Sequence, residues 1–433
     1  MADSTVISDR PKQADLDRCV HCGLCLNACP TYRELGVEMD SPRGRIYQMV
    51  QVASGNAHIG PSYVEHIDLC LACRACETAC PSGVQYGRLV EAARAQIEHA
   101  VRRPVHIQLL RHFVFGHLLQ SRLTLTIFGT ILYIYQAIGL KKLVRNLGFF
   151  KLLGKLGDLE QLTPHAEPPF FFSQIGKTFP AEGKARYRVA FLAGCIANVS
   201  FARLNEATVR VLQKNGCDVV IPQDQTCCGA LHVHSGLPRY ARALARRNID
   251  AVLEGNFDAI ITNAAGCGST LKEYHDLLEH DPGYAEKAAH FTARVKDVTE
   301  FLASIELNPN MGPLPITVTY QDSCHLAHGQ RVRLQPRKLL AAVPELRFQE
   351  MPLSDLCCGS AGIYNVVQNE MSMQILQRKM DSVNSTGAEL IVTANPGCML
   401  QLHAGARLYG KNQDVAHVVE VLDEAYSRAN RIS

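Results

Sequence analysis

Two cysteine runs near the amino terminus constrain the fold of this chain more than any other feature. They share the spacing C-x2-C-x2-C-x3-C, and a proline follows the last cysteine of each run, at Pro30 and Pro81. The eight residues are Cys19, Cys22, Cys25, Cys29, Cys70, Cys73, Cys76 and Cys80. Because so many thiols recur at such short intervals, we expect this part of the chain to fold around what they bind.

This spacing is typical of bacterial ferredoxins with two clusters, in which the last cysteine of each run binds the cluster of the other run. We therefore predict one 4Fe–4S cluster on Cys19, Cys22, Cys25 and Cys80. A second 4Fe–4S cluster is predicted on Cys70, Cys73, Cys76 and Cys29. Zinc sites or disulfides are the alternative, but the doubled run with its two prolines argues against them. Clusters of this kind move single electrons.

Composition sets broad limits on the protein. A chain of 433 residues, 47% of them hydrophobic, is long enough for about three domains. The net charge of +3 is too small to favour nucleic acid as a partner. Residues 1–13 are polar and unlike a secretory signal, which predicts a cytoplasmic, reducing location. The seventeen cysteines are therefore expected to be metal ligands or buried thiols rather than disulfides.

Residues 31–100 are expected to be largely helical, with a helix over 87–100. The motif SPRGR at 41–45 predicts a basic turn, which is either a solvated loop or a source of arginines that offset cluster charge or bind an acidic partner. Residues 123–140 carry no charge, and an apolar stretch with lysines follows at 141–157. These two segments predict helices packed on protein, contact with a membrane surface, or a short membrane span.

The second half of the chain contains an internal duplication. The first copy has Cys195, Cys227, Cys228 and Cys267, and the second has Cys324, Cys357, Cys358 and Cys398. Corresponding cysteines are 129, 130 or 131 residues apart, which indicates tandem repeats. Buried strands that end in cysteine are predicted at 188–195, 259–267, 316–324 and 390–398, with helices between them at 205–214 and 371–383. This alternation predicts an α/β sheet with parallel strands in each repeat.

The duplicated cysteines predict a second pair of binding sites. Ligands of an open α/β sheet bind beyond the carboxyl ends of its strands, where these cysteines are expected. Neighbouring glycines, such as Gly229 and Gly359, allow the backbone to approach a bulky inorganic group. The alternative is that small hydrophobic cysteines merely fill loops, but all four recur in the same order, which argues against it.

The repeats resemble the cysteine-rich CCG domains of heterodisulfide reductase and related oxidoreductases. Together with the two amino-terminal runs, they make the chain similar to the iron–sulfur subunit of bacterial glycolate oxidase, or glycolate dehydrogenase, from about Cys19 to the carboxyl terminus. The segments that carry the resemblance are CVHCGLCLNACPTYRELG, DSPRGRIYQM, CLACRACETACPSGV, CCGA, CCGSAG and IVTANPGC. The iron–sulfur subunit of anaerobic glycerol-3-phosphate dehydrogenase has the same layout and is more distant.

Each repeat departs from the full CCG pattern at one position. The pattern ends in C-x-x-C, but Thr270 and Gln401 stand at the last position here, so that each site keeps four cysteines. This departure puts the five-cysteine, noncubane cluster of the heterodisulfide reductases in doubt. Four thiolates suffice for a cubane cluster or for zinc, and a site without metal is the third alternative.

Other residues near the cysteine motifs have less specific interpretations. Cys217 lies outside the repeated pattern and is expected to be a core thiol. Five histidines lie close to the motifs: His21, His232, His234, His325 and His328. They are expected either to make ordinary hydrogen bonds or to replace missing ligands and relay protons.

The sequence contains no flavin- or nicotinamide-binding pattern, no phosphate-binding loop and no hydrolase motif. A 2-hydroxyacid loses two electrons together and clusters accept one at a time, so FAD is expected on partner subunits. The resemblance therefore implies the electron-transfer subunit of an oxidoreductase complex that oxidises glycolate or D-lactate and passes electrons towards a quinone. No catalytic residue for substrate oxidation is expected on this chain.

We predict an α+β multidomain fold. A largely helical, ferredoxin-type domain is expected at 1–103, a helical apolar segment with a proline-rich linker at 104–185, and CCG domains at 186–312 and 313–433. The expected location is the inner face of the cell membrane, in a hetero-oligomer with FAD-containing subunits. Three other functions stay open: reduction of a disulfide by the repeats themselves, electron transfer in a glycerol-3-phosphate dehydrogenase complex, and a zinc-containing scaffold that docks flavoproteins.

Overall fold

The computed structural model describes residues 9–138, 163–411 and 413–432. The predicted apolar stretch at 141–157 lies outside these ranges, as do the last two residues of the uncharged segment. The described chain has a helical amino-terminal part, linker helices and two α/β repeats, which confirms the predicted fold class. The four domain boundaries given above stay predictions.

Short helices separated by cysteine-bearing loops form the amino-terminal part. Their bounds are Gln13–Leu16, Pro30–Leu35, Pro42–Ala53, Pro61–Asp68, Ala75–Thr78 and Tyr86–Ala100, with a 3-10 turn at Glu38–Asp40. Three of them begin at a proline, whose fixed φ angle suits the first helical position. The last helix, predicted from position 87, packs Leu89, Val90 and Ala93 into the core of this part.

Linker helices follow at Val105–Arg111 and Arg122–Ala137, with a π-helical segment at His112–Leu118 between them. Leu125 and Gly129 lie on the buried face of the longer helix. A side chain at position 129 would collide with Val199 and Phe170, so this helix packs closely on the first repeat. No helix in the described ranges has the length and apolar character needed to cross a membrane.

A five-stranded sheet forms the centre of the first repeat. Its strands are β1 Thr178–Phe179, β2 Tyr187–Phe191, β3 Cys217–Val220, β4 Ala259–Thr262 and β5 Val295–Asp297, in the order β1-β3-β2-β4-β5. All neighbours are parallel except β1, which pairs antiparallel with β3 at the edge. The helices are Ala197–Ser200, Ala202–Lys214, Ala230–His234, Pro238–Leu253, Ala265–Lys272, Tyr274–Leu277, Ala285–Thr292 and Val298–Ser304, with a 3-10 turn at Phe171–Gln174.

The second repeat has a four-stranded sheet in which every pair is parallel. Its strands are β6 Thr317–Tyr320, β7 Arg347–Phe348, β8 Leu390–Thr393 and β9 Asp414–His417, in the order β7-β6-β8-β9. Its helices are Leu334–Ala341, Tyr364–Val367, Asn369–Thr386, Pro396–Tyr409 and Val418–Ile432, with a π-helical turn at His325–Gly329. The parallel strands predicted for the repeats are therefore present in both sheets.

The two repeats share one hydrophobic core. Helix Ala202–Lys214 of the first repeat packs against helix Val418–Ile432 of the second. Next to this contact, the buried Asn215 donates a hydrogen bond through Nδ2 to the Tyr426 hydroxyl at 3.1 Å. Cys217 is fully buried in the same core, which agrees with the prediction of a core thiol.

The four predicted strands are shorter than expected, and the prediction that they end in cysteine was wrong. They end at Phe191, Thr262, Tyr320 and Thr393. After β2, Gly194 adopts a left-handed conformation at φ +78°, which turns the chain away from the sheet. After β8, Pro396 begins a helix, so Cys398 lies in a first helical turn instead of a strand.

A buried arginine ties together the amino-terminal part. Arg45 is fully buried in helix Pro42–Ala53. Its guanidinium donates to the Thr31 hydroxyl at 3.1 and 3.2 Å and to the carbonyl oxygen of His66 at 2.6 Å. It also lies 3.4 Å from the buried carboxylate of Asp40. Arg45 therefore holds three separate segments of the amino-terminal part together and also places a positive charge inside it.

The SPRGR motif is therefore a helix start and not a solvated turn. Ser41 caps the helix by accepting a hydrogen bond from the backbone N–H of Gly44 at 3.0 Å. Pro42 is the first helical residue. Arg43 stays near the surface and pairs with Glu38 at 2.7 Å. Of the two arginines of the motif, one is therefore partly exposed to water and the other is buried.

Replacing Arg45 with methionine (R45M) is expected to lower the free energy of unfolding by about 3–5 kcal/mol, because Asp40 would stay buried without its arginine. R43M removes a charge from the same motif but disrupts a pair near the surface, so its effect should be much smaller. Urea unfolding of both variants, followed by circular dichroism under anaerobic conditions, measures the difference. A loss below about 1 kcal/mol in R45M would contradict the role assigned to Arg45.

Candidate metal centres

The eight amino-terminal cysteines lie in two tightly wound loops. Residues His21 and Gly23 in the first loop, and Ala72 and Arg74 in the second, have φ angles between +52° and +85°. Of the eight thiols, Cys29, Cys70, Cys73 and Cys76 are buried, Cys19, Cys25 and Cys80 are half-buried, and Cys22 is exposed. One group of four is therefore enclosed by protein, and the other lies near the surface.

The last cysteine of each run lies beside the cysteines of the other run. Burial is the main cause that raises the pKa of Cys19, and the charge of Cys80 adds to it. Burial also raises the pKa of Cys76, and Cys29 is among the charges that add to it. Burial raises the pKa of Cys25 as well, and the charge of Cys29, from the same run, adds to this increase. Thiols that are distant in the sequence thus meet in two places.

Hydrogen-bond donors surround the sulfur atoms of the buried group. The backbone N–H of Ala72 donates to Cys70 Sγ at 3.3 Å, and the Tyr86 hydroxyl donates to the same sulfur at 3.7 Å. The Arg45 guanidinium lies 4.0 Å from Cys29 Sγ. Such donors and a buried positive charge stabilise a thiolate-bound cluster in its more negative, reduced state.

In the first repeat, four cysteines meet beyond the carboxyl ends of β2 and β4. They are Cys195, Cys227, Cys228 and Cys267. The sulfur atoms of Cys195 and Cys227 are 3.5 Å apart, and Cys228 lies within hydrogen-bonding contact of Cys227 and Cys267. Gly229 follows the pair at φ +85° and packs closely against Ala241. The four predicted residues are therefore adjacent.

The four cysteines of the second repeat are arranged in the same way. They are Cys324, Cys357, Cys358 and Cys398, and each contacts the next in that order. The hydrogen bond with Cys357, together with burial, raises the pKa of Cys358 to about 12. The backbone N–H of Gly359 donates to Cys357 Sγ at 3.4 Å, and Asn395 Nδ2 donates to Cys398 Sγ at 3.3 Å.

Neutral side chains occupy the positions of the missing fifth cysteines. Gln401 is fully buried, accepts a hydrogen bond from Asn365 Nδ2 at 3.1 Å and donates to Ser372 Oγ at 3.0 Å. Thr270 is also buried. Each repeat thus offers four thiols, which by number and chemistry suffice for an iron–sulfur cluster or for zinc once the sulfur atoms close around it. Among the described residues, no three histidine, cysteine, aspartate or glutamate side chains are arranged to hold a single metal ion.

One of the five histidines near the motifs lies against a cysteine. His325 Nδ1 is 3.4 Å from Cys324 Sγ, and its Nε2 has no hydrogen-bond partner among the described residues. Its ring centroid lies 5.1 Å from that of His234, which pairs with Glu91 at 2.9 Å. His21 is exposed in the first cysteine loop. His325 is thus the histidine best placed to affect a cysteine site.

The remaining two histidines have structural partners. His232 Nε2 lies 2.8 Å from the carbonyl oxygen of Phe115 in the linker. His328 bridges the Thr78 hydroxyl at 2.9 Å and the carbonyl oxygen of Asp355 at 3.0 Å. These contacts join the amino-terminal part and the linker to the repeats.

The buried amino-terminal thiols lie against the cysteines of the second repeat. Cys73 shares a hydrophobic cluster with Cys324 and Cys357. Burial raises the pKa of Cys73 well above its usual value, and the charge of Cys357 is the next largest cause. At the same contact, the Tyr364 hydroxyl donates to the carbonyl oxygen of Leu69 at 2.9 Å. The two groups of thiols are therefore neighbours across an apolar interface.

The second repeat's site also contacts the first repeat's site. Asn395, which donates to Cys398, accepts a hydrogen bond from the backbone N–H of Gly266 at 3.4 Å. Gln330 donates through Nε2 to the carbonyl oxygen of Ala265, the residue before Gly266, at 2.9 Å. The second site therefore contacts both the amino-terminal thiols and the first site.

A buried lysine behind the second site was missed by the sequence analysis. Lys379 is 3% exposed, and its ammonium donates to the carbonyl oxygens of Leu353 at 2.8 Å and Ser354 at 3.2 Å. Burial lowers its pKa, and the adjacent cysteine pair acts in the opposite direction. Asn248, also buried, stands at the corresponding position of the first repeat, so an alignment of the two repeats would have shown the difference in residue type but not its burial.

Family models match most of the chain. The 4Fe–4S dicluster domain matches residues 15–84, the linker region of the glycolate oxidase iron–sulfur subunit matches 106–163, and the cysteine-rich domain matches 189–272 and 318–403. The dicluster and cysteine-rich matches identify an iron–sulfur protein.

Curated relatives agree with these models. The probable glycolate oxidase iron–sulfur subunit of Bacillus subtilis is 42% identical over 427 residues, which cover 96% of this chain and 95% of that protein. The glycolate oxidase iron–sulfur subunit of Escherichia coli is 33% identical over 433 residues, 97% of each chain. Lactate utilization protein A of Bacillus subtilis is 30% identical over 237 residues, 54% of this chain and 99% of that protein.

The two full-length relatives match this chain from end to end, and the linker model matches the segment between the amino-terminal cysteine runs and the repeats. Their match extends over nearly every described residue of this chain. The predicted resemblance is confirmed: the chain belongs to the family of glycolate oxidase iron–sulfur subunits.

Proposed function

We propose that this chain is the electron-transfer subunit of a multisubunit, flavin-dependent dehydrogenase that oxidises glycolate or D-lactate. Partner subunits carry the FAD and receive two electrons from the substrate, and this chain passes them singly towards a quinone. The names of the full-length relatives support glycolate, and that of the shorter relative supports lactate. No residue of this chain is assigned to substrate oxidation.

The observation that carries the proposal is the grouping of the amino-terminal thiols. We assign one 4Fe–4S cluster to Cys19, Cys22, Cys25 and Cys80, and the other to Cys70, Cys73, Cys76 and Cys29. Such clusters supply one-electron transfer when bound. Cys22 is exposed, which suits exchange with a partner, and Cys73 is buried against Cys357, which suits passage into the repeats.

The surroundings of the two groups favour electron flow from the surface inwards. Reduction adds negative charge, which Arg45 and the donors from Ala72 and Tyr86 stabilise at the buried group. The residues of this chain thus hold the thiols, exclude water from the inner group and supply positive charge where an electron would reside. The electron then passes from the buried group to the repeats.

Two rival functions are less well supported. Disulfide reduction in the heterodisulfide reductase manner uses a fifth cysteine, but hydrogen-bonded Gln401 and buried Thr270 stand at those positions. A zinc-containing scaffold would need no contact between Cys73 and Cys357, because zinc has no redox chemistry. These observations favour an iron–sulfur cluster in the second repeat over a disulfide-reducing site or a zinc-containing scaffold.

Serine variants test the crossed assignment of the two clusters. C22S and C73S should each weaken a different electron paramagnetic resonance (EPR) signal of the reduced, anaerobically purified chain. We expect C80S to reproduce the spectrum of C22S, and C29S to reproduce that of C73S, because the last cysteine of each run binds the other cluster. C217S, which removes a buried thiol outside all four groups, should leave both signals unchanged.

The outcomes of this test separate two errors. If C29S reproduced the spectrum of C22S, the crossed assignment would be wrong while electron transfer would stand. If the unmodified chain, purified anaerobically and reduced, gave no ferredoxin-type signal, the electron-transfer function itself would be contradicted.

We also propose that the chain contacts the inner face of the cell membrane through the helix Arg122–Ala137. One face of this helix and its end carries exposed apolar side chains three or four residues apart: Leu123, Ile127, Ile131, Ile134 and Ile138. The opposite face is packed on the first repeat. Residues 105–138 contain no acidic residue, so no carboxylate of this segment would repel an anionic lipid surface.

The double variant L123E/I131E is expected to bind vesicles of phosphatidylcholine and phosphatidylglycerol at least about tenfold more weakly than the unmodified chain, since each large aliphatic side chain contributes about 1.5–3 kcal/mol when buried. L334E changes an equally exposed leucine on the second repeat and should bind normally. Co-sedimentation with the vesicles measures the bound fraction. Equal binding by L123E/I131E and the unmodified chain would mean that this face serves another purpose.

A further inference from the structure

The two repeats differ by one buried charge directly behind their cysteine pairs. Helix Pro238–Leu253 of the first repeat and helix Asn369–Thr386 of the second occupy equivalent places. Their buried residues correspond at a separation of 131 positions: Ala241 with Ser372, Leu244 with Ile375, Asn248 with Lys379, and Val252 with Val383. At the third of these positions a neutral amide is replaced by an ammonium.

In the first repeat the amide satisfies its neighbours without charge. Asn248 Oδ1 accepts a hydrogen bond from the backbone N–H of Thr226 at 2.7 Å. Its Nδ2 lies 3.0 Å from both the carbonyl oxygen of Cys227 and the Tyr274 hydroxyl. Asn248 therefore holds the cysteine-bearing loop in place and leaves no net charge beside the first site.

In the second repeat the ammonium has only backbone oxygens as direct partners. Lys379 forms no ion pair with any carboxylate in the described part of the chain. The two carboxylates whose charges act on it are already engaged: Asp322 binds Arg337 at 2.7 Å, and Asp355 binds Arg333 at 2.9 Å. Of the acidic groups around the lysine, the thiols of the adjacent cysteine pair act on it most strongly.

A buried ammonium that only carbonyl oxygens solvate is unfavourable unless an opposite charge lies nearby. Four thiolates that bind an iron–sulfur cluster provide such a charge, and the cluster becomes more negative when it accepts an electron. The lysine thus stabilises the reduced form more than the oxidised form. The first site has no equivalent charge, so the two sites differ in redox behaviour although they offer the same four thiols.

We propose that Lys379 raises the reduction potential of the second repeat's cluster. This inference rests on the proposed function, because it requires a cluster on Cys324, Cys357, Cys358 and Cys398. The second site also contacts Cys73, so it is the site in the repeats that first receives the electron. Lys379 does not ligate the cluster and acts on it only through its buried positive charge.

Redox titration of the full chain, purified anaerobically and followed by EPR, tests this proposal. K379M is expected to make reduction of the second site's cluster at least tenfold less favourable, which corresponds to a fall in potential of about 59 mV for one electron. C324S identifies the signal that belongs to this site. The reduction equilibria of the amino-terminal clusters should change by less than threefold.

Two variants control for changes other than charge. K379R keeps the buried positive charge and should shift the equilibrium by less than threefold. R378M removes a charge from the same helix, but Arg378 is 59% exposed and pairs with Glu34, so water screens its effect and no comparable shift is expected. If K379M does not fold, K379Q replaces it as the neutral variant.

The results distinguish this proposal from the proposed function. An unchanged potential in K379M or K379Q, with the iron content of the unmodified chain, overturns the role of Lys379 and leaves electron transfer intact. An unmodified chain with the two amino-terminal signals but no signal sensitive to C324S also overturns it. Absence of the amino-terminal signals themselves would instead refute the proposed function.

Discussion

The buried contact between Cys73 and the pair Cys324 and Cys357 is the interaction on which the rest of the structure depends. It joins a cysteine loop of the helical amino-terminal part to the site of the second α/β repeat. Hydrogen bonds from Tyr364 to Leu69 and between Thr78 and His328 hold the two surfaces together around it. Without this contact each half would keep its thiols, but no continuous series of sites would join them.

The duplication has produced two sites with the same thiols and different surroundings. The second site contacts the amino-terminal thiols and has a lysine behind it, whereas the first has an asparagine and is reached through Asn395 and Gly266. His325, buried beside Cys324, is a further difference. We infer that the two repeats have different roles in electron transfer. The surroundings of the thiols, and not the thiols themselves, give each site its role.

The sequence predicted those features that spacing and repetition determine. Cysteine intervals indicated which thiols would meet, and a constant separation between copies indicated the two sheets. Strand lengths could not be predicted, because apolar runs do not show where Gly194 or Pro396 turns the chain out of the sheet. The burial of Arg45 and Lys379 was also beyond reach. A charged residue in a helix is expected at the surface unless tertiary partners are known.

Metal analysis of the anaerobically purified chain tests most directly whether the series of clusters continues into the repeats. Four irons per cubane predict about twelve or more irons per chain, without stoichiometric zinc, if at least one repeat holds a cluster. About eight irons accompanied by zinc would contradict the account, because the series of redox sites would then end at the buried amino-terminal thiols.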